Sequence, residues 1–83
     1  MGLSEQESEL LGMVREFVTD QGGDAASIVP QASLRDVGID SLRAIDLVFR
    51  FEERCGIAIP MESFPTTTVG DALRYVAELI GRR

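Results

Sequence analysis

Residues 37–56 read VGIDSLRAIDLVFRFEERCG, and this stretch decides the fold. Its apolar residues recur at spacings of three, four and seven, which is typical of an amphipathic helix and not of a strand. Asp40 is a favoured N-cap residue, and Gly56 suits the left-handed conformation that ends a helix. The pattern therefore predicts a helix from Ser41 to Cys55. One narrow stripe of this helix is assigned to the core and consists of Ala44, Leu47, Val48, Phe51 and Cys55.

The same helix carries a second apolar stripe, formed by Leu42, Ile45 and Phe49. A helix in a small bundle needs only one buried face, so this stripe has two possible explanations. It is either an exposed docking surface or a surface that the preceding loop covers. Carboxylates border it and arginines occupy the remaining face; the bordering residues are Asp46, Glu52 and Glu53, and the arginines are Arg43, Arg50 and Arg54.

Two further helices flank the central one. Ser4 and Glu7 form a capping box before an apolar stripe, and Gly22 and Gly23 end that first helix. Gly12, inside it, is expected to let a neighbouring element approach closely. Thr68 and Asp71 form a second capping box, which opens a last helix with Arg82 and Arg83 at its C-terminal end.

The connection between the first and second helices is long, from about residue 22 to residue 40. Pro30 excludes regular helix around it. The apolar residues expected to anchor it to the core are Ile28, Val29, Leu34, Val37 and Ile39. A short helical turn is predicted at residues 61–64. The sequence therefore predicts an all-α fold, a small three- to four-helix bundle with a long loop between the first and second helices, as a single monomeric domain over residues 1–83.

Composition excludes several function classes. Fourteen acidic and eight basic residues give a net charge of -6, which argues against nucleic-acid binding. The chain has no histidine, so it cannot build a Ser-His-Asp or Cys-His site, and it has no lysine to act as a Schiff-base nucleophile. We therefore expect no enzymatic activity. Cys55 is the single cysteine, which leaves no internal disulfide and no cysteine metal cluster and suits a core residue. The polar N-terminus predicts no signal peptide or membrane span, hence a cytoplasmic protein.

The segment Val37-Gly38-Ile39-Asp40-Ser41-Leu42 resembles the Asp-Ser-Leu attachment motif of acyl carrier proteins. The likeness continues through Ile59-Pro60 and Thr67-Thr68-Val69, and it extends over most of the chain. It implies that Ser41 is esterified to 4′-phosphopantetheine, which a separate magnesium-dependent phosphopantetheinyl transferase supplies from coenzyme A. Asp40 and Leu42 flank the attachment site. Independently, a helix N-terminus favours a phosphate because its N–H groups and dipole attract anions.

The resemblance also implies docking to acyltransferases, ketosynthases or other biosynthetic enzymes through the second helix. Carried over by position, the candidate contacts are Leu42, Ile45, Asp46, Phe49, Glu52 and Glu53. The three arginines of this helix depart from typical fatty-acid carriers, in which the helix is nearly all acidic. That departure favours a polyketide or another specialised pathway.

Two alternatives remain open at this point. A peptidyl or aminoacyl carrier uses the same arm on the same serine, although the Asp before Ser41 and the acidic total favour the acyl type. A helical interaction module without an arm would use Ser41 only as a helix-start residue and the second stripe to bind a partner helix.

Overall fold

The computed structural model describes residues 3–82, and within them the chain forms three α-helices. These are α1 (Glu5–Asp20), α2 (Ser41–Cys55) and α3 (Val69–Arg82). A single 3₁₀ turn lies in each connection, at Ala25–Ser27 and Met61–Ser63. The all-α prediction is confirmed, and the short helical turn predicted at residues 61–64 is the 3₁₀ turn at Met61–Ser63. Met1, Gly2 and Arg83 lie outside the described residues.

The helices begin and end where their caps dictate. The Ser4 hydroxyl accepts from the Glu7 N–H at 3.1 Å, and the Glu7 carboxylate accepts from the Ser4 N–H at 3.0 Å, so the predicted capping box is complete. Asp40 caps α2 as predicted, and Gly56 ends it at φ 67°. At α3 the Thr68 hydroxyl accepts from the Asp71 N–H at 3.1 Å.

All three helices contribute to one core. Its fully buried members come from all three helices and include Val14, Phe17, Leu47, Phe51, Leu73 and Val76. Cys55 is only partly buried at the edge of this core, so its place on the core stripe is peripheral. The interior formed by Phe17, Leu47, Phe51 and Val76 is close-packed, with each of these residues no more than 1% exposed.

The long loop is fastened at both ends. Ile28, Leu34 and Ile39 are buried as predicted, whereas Val29 is 39% exposed and does not anchor the loop. Arg15 of α1 donates two hydrogen bonds to the Ile28 carbonyl, at 3.0 and 3.2 Å. These contacts fix the loop that leads into α2.

The loop is also joined to the start of α3. Three backbone hydrogen bonds connect them. The Leu34 N–H donates to the Thr67 carbonyl, and the Val69 N–H donates to the Ala32 carbonyl. The Gly70 N–H donates to the Pro30 carbonyl at 2.8 Å. A Cβ at position 70 would lie 3.0 Å from the Pro30 carbonyl oxygen. A side chain at position 70 would therefore require the Pro30 carbonyl to shift by a few tenths of an ångström, because the loop backbone passes directly against the helix.

Candidate functional site

Ser41 is the first residue of α2 and is exposed. The preceding turn is set by Gly38 at φ 89°, a conformation that L side chains rarely adopt. Asp40 then caps the helix, because its carboxylate accepts from the Arg43 N–H at 2.9 Å and its carbonyl accepts from the Ala44 N–H at 2.8 Å. The loop and the cap together hold the Ser41 hydroxyl at the tip of the helix.

The start of α2 suits a phosphate. Among residues 3–82, no acceptor is paired with the N–H of Ser41 or of Leu42, and the Ser41 hydroxyl has no hydrogen-bond partner. Free N–H groups and the positive end of the helix dipole favour an anion at this position. The residues present therefore fit a phosphoester on Ser41, and Asp40 acts as the cap that positions the serine.

The second apolar stripe of α2 is not covered by the loop. Leu42 is 74% exposed and Phe49 is 58% exposed, while Ile45 between them is half-buried. Asp46 and Glu53 are exposed beside this stripe. We call these five residues the exposed face of α2. Of the two explanations for the stripe, coverage by the preceding loop is wrong.

Glu52 differs from its neighbour Glu53. Its carboxylate is half-buried and accepts a hydrogen bond from the Ile59 N–H at 2.7 Å. This contact fastens the segment after α2 to the helix, and Ile59 itself is buried. Glu52 therefore has a structural role that helical periodicity did not reveal, because the acceptor and donor are seven positions apart across a turn.

Two of the three arginines on α2 face α1. Arg50 pairs with Asp20 at 3.1 Å and lies over the Phe17 ring at 5.1 Å, and Arg54 pairs with Glu16 at 3.5 Å. These contacts bridge the two helices at their surface. Arg43, without such a pair within residues 3–82, lies near Ser41 instead.

An open groove of about 350 Å³ lies beside Asp40, the residue before Ser41, on the side of α1. It is formed where the C-terminal end of α1 meets the turn before α2, and its lining includes Phe17, Gly22, Gly23, Val37, Gly38 and Arg43. The sequence analysis did not predict this groove. The sequence feature that could have indicated it is the pair of glycines at 22 and 23 together with Gly38. These three positions have no side chain to fill the space between the two chain segments.

The titration shifts in the described chain mark helix starts and not a reactive centre. The hydrogen bond from the Ser4 N–H lowers the pKa of Glu7. The Thr67 hydroxyl, which donates to Asp71 at 2.6 Å, lowers the pKa of that carboxyl. Neither group lies beside Ser41 in sequence, and no cluster of three or more metal-ligating side chains occurs within the described residues.

No helix in residues 3–82 is long and apolar enough to cross a membrane.

A family model described as the phosphopantetheine attachment site matches residues 9–76, which include α2 entirely and most of α1 and α3. Such domains are generally non-catalytic carriers that work with a phosphopantetheinyl transferase and with biosynthetic enzymes. The chain therefore belongs to the phosphopantetheine attachment family and is a carrier with a covalently attached 4′-phosphopantetheine group.

Proposed function

We propose that the chain is an acyl carrier protein and that Ser41 is the residue that bears the arm. The observation that carries this proposal is the position of Ser41. It is exposed at the first residue of α2, it follows a turn set by Gly38, and it lies inside the matched segment. The family match also favours a carrier over an interaction module without an arm.

The residues of this chain position the serine and leave the chemistry of attachment to the transferase. The Ser41 oxygen forms a bond to phosphorus, the pyrophosphate bond of coenzyme A breaks, and adenosine 3′,5′-bisphosphate leaves. The hydroxyl proton passes to a base of the transferase. When bound, the arm supplies a terminal thiol that holds an acyl group as a thioester. The tether makes encounters with active sites effectively intramolecular.

The exposed face of α2 is the proposed docking surface. Leu42 and Phe49 are large apolar side chains left in water, and single buried aromatic or aliphatic anchors dominate many protein interfaces. Asp46 and Glu53 beside them favour partners with basic rims. Glu52 is a weaker candidate for direct contact because the Ile59 N–H already uses one of its oxygens.

The charge of the chain favours an acyl carrier over a peptidyl carrier. The chain carries a net charge of -6, and aspartate precedes Ser41. The arginines of α2, of which Arg43 has no ion pair within residues 3–82 and lies near Ser41, favour a polyketide or other specialised pathway over fatty-acid synthesis. Loading of the purified carrier decides this point. Acylation by a malonyl- or acyltransferase supports the acyl type, and loading only by an amino-acid adenylating enzyme refutes it.

The site is tested by incubating the protein with coenzyme A, Mg²⁺ and a broad-specificity phosphopantetheinyl transferase, then recording the intact mass. We expect one phosphopantetheine on the wild type and none on Ser41→Ala. Circular dichroism of both proteins establishes that each is folded. Modification that persists in Ser41→Ala would assign the arm to another residue.

The docking surface is tested on the holo protein with a partner acyltransferase. Phe49→Ala is expected to lower kcat/KM for transfer by roughly tenfold, the effect of losing an anchor side chain. Glu53→Arg is expected to lower it through weaker association, with a smaller loss at high salt. Glu78→Arg, an exposed change on α3, is the matched control. Equal transfer rates for all four proteins would exclude this face as the docking surface.

A further inference from the structure

A second groove lies far from Ser41, where the N-terminal half of α1 meets the C-terminal ends of α2 and α3. It measures about 560 Å³. We define the Gly12 groove by Gly12, Met13, Cys55 and Ile80, one or two residues from each helix. We propose that it is a second protein-docking surface, for a partner segment that presents an apolar side chain beside an arginine or lysine.

Gly12 is the first reason. It lies inside α1, where glycine destabilises a helix relative to alanine. A Cβ at this position would meet no atom within 4 Å, and the residue does not have a positive φ. The expectation that Gly12 admits a close neighbour is therefore wrong for the described chain. Gly12 thus lowers the helix propensity of α1 without allowing closer packing in the folded domain. Such a departure from local sequence preference is typical of functional positions.

The composition of the groove is the second reason. Met13, Cys55 and Ile80 are half-buried and give it an apolar floor above the buried Leu10. Because α1 has no side chain at position 12, this floor stays open to solvent. An apolar side chain of a partner can enter it without displacing any atom of the domain.

The charge at the rim selects the partner. Glu9 and Glu16 lie on the α1 side, and Arg54 lies on the α2 side. Arg54 pairs with Glu16 at 3.5 Å, which leaves Glu9 without an ionic partner in residues 3–82. The rim therefore has net negative charge, which favours a basic segment over an acidic one.

The position of the groove separates it from the carrier site. Cys55 lies 14 positions beyond Ser41 on α2, which corresponds to about 21 Å along the helix axis. A partner bound in the Gly12 groove leaves the serine end of α2 accessible. This surface is therefore suited to holding the carrier within an assembly while the other end of the domain engages a second enzyme.

The test uses two synthetic helical peptides of about 15 residues, a length at which designed helices form in water. One presents two leucines on one face with arginines beside them, and the other has glutamate in place of each arginine. Each is titrated into ¹⁵N-labelled protein while backbone amide shifts are recorded. We expect the basic peptide to shift the amides of Gly12, Met13, Cys55 and Ile80, and the acidic peptide to leave them unchanged.

Gly12→Leu fills the groove, and it is expected to weaken binding at least roughly tenfold, as blocking an anchor contact does. Gly81→Leu is the matched control, because Gly81 is also an exposed helical glycine with no atom within 4 Å of a Cβ. Ser41→Ala should bind like the wild type, which separates this proposal from the carrier function. Shifts confined to Leu42 and Phe49, no binding of the basic peptide at the groove, or unchanged affinity in Gly12→Leu would each overturn it.

Discussion

Glu52 and Glu53 are adjacent glutamates on one helix, and the structure predicts opposite results when each is replaced. Glu52 accepts from the Ile59 N–H at 2.7 Å, and Ile59 is 5% exposed. Removing the carboxylate leaves the part-buried Ile59 N–H without its acceptor, and leaving a buried donor unpaired costs about 1–3 kcal/mol. We expect Glu52→Ala to lose about 2 kcal/mol from a domain whose total stability is on the order of 4–12 kcal/mol. Glu53→Ala should stay within about 0.5 kcal/mol, since its side chain is exposed.

The assay is equilibrium unfolding in urea, followed by circular dichroism, with thermal unfolding as a second measure. A loss of about 2 kcal/mol lowers the Tm by roughly 8–16 °C in a domain of this size. Glu52→Gln keeps an acceptor oxygen and should recover part of the loss. Equal stability of Glu52→Ala and Glu53→Ala, with equal urea dependence, would refute the structural role of Glu52. It would also restore Glu52 as a free docking charge.

Three further predictions concern stability. Gly70→Ala should cost roughly 1–2 kcal/mol, because its Cβ would press on the Pro30 carbonyl that the Gly70 N–H already binds; urea unfolding measures it. Gly12→Ala should stabilise the domain by about 0.5–1 kcal/mol, seen as a raised Tm, since the position is open and helical. The hydrogen bond from the Ser4 N–H lowers the pKa of Glu7 from 4.5 in the folded protein. Its contribution to the free energy of unfolding is therefore present above pH 4.5 and is lost as the pH falls through the lowered pKa. Glu7→Gln should flatten that part of the acid unfolding curve.

The helices were predictable because their signals are local. Ser4 with Glu7 and Asp40 before Ser41 are caps that act within one turn, and the structure places both helix starts at these residues. The core stripe of α2 was also predictable. Leu47 lies three residues after Ala44 and four before Phe51, and apolar residues at these spacings share one face of a helix. The phosphopantetheine group followed from a motif whose position at a helix start makes physical sense.

What the sequence could not reveal depends on contacts between distant segments. Val29 and Ile28 are adjacent apolar residues, and only the path of the loop decides that Ile28 is buried and Val29 is not. Glu52 and Glu53 differ because the chain after α2 turns back over one of them. Whether the space beside Gly12 is open or filled likewise depends on where α2 and α3 lie and not on any pattern within α1.

The arginines of α2 raise the question of whether this helix still presents an acidic surface. Arg50 and Arg54 are turned towards α1, where Asp20 and Glu16 offset their charge. Asp46 and Glu53 on the exposed face have no such ion pair within the described residues. Arg50 and Arg54 therefore change the junction between α1 and α2 more than the face beside Leu42 and Phe49. A partner that approaches the exposed face meets apolar side chains rimmed by carboxylates, so the proposed preference for a basic partner holds despite the arginines in the helix.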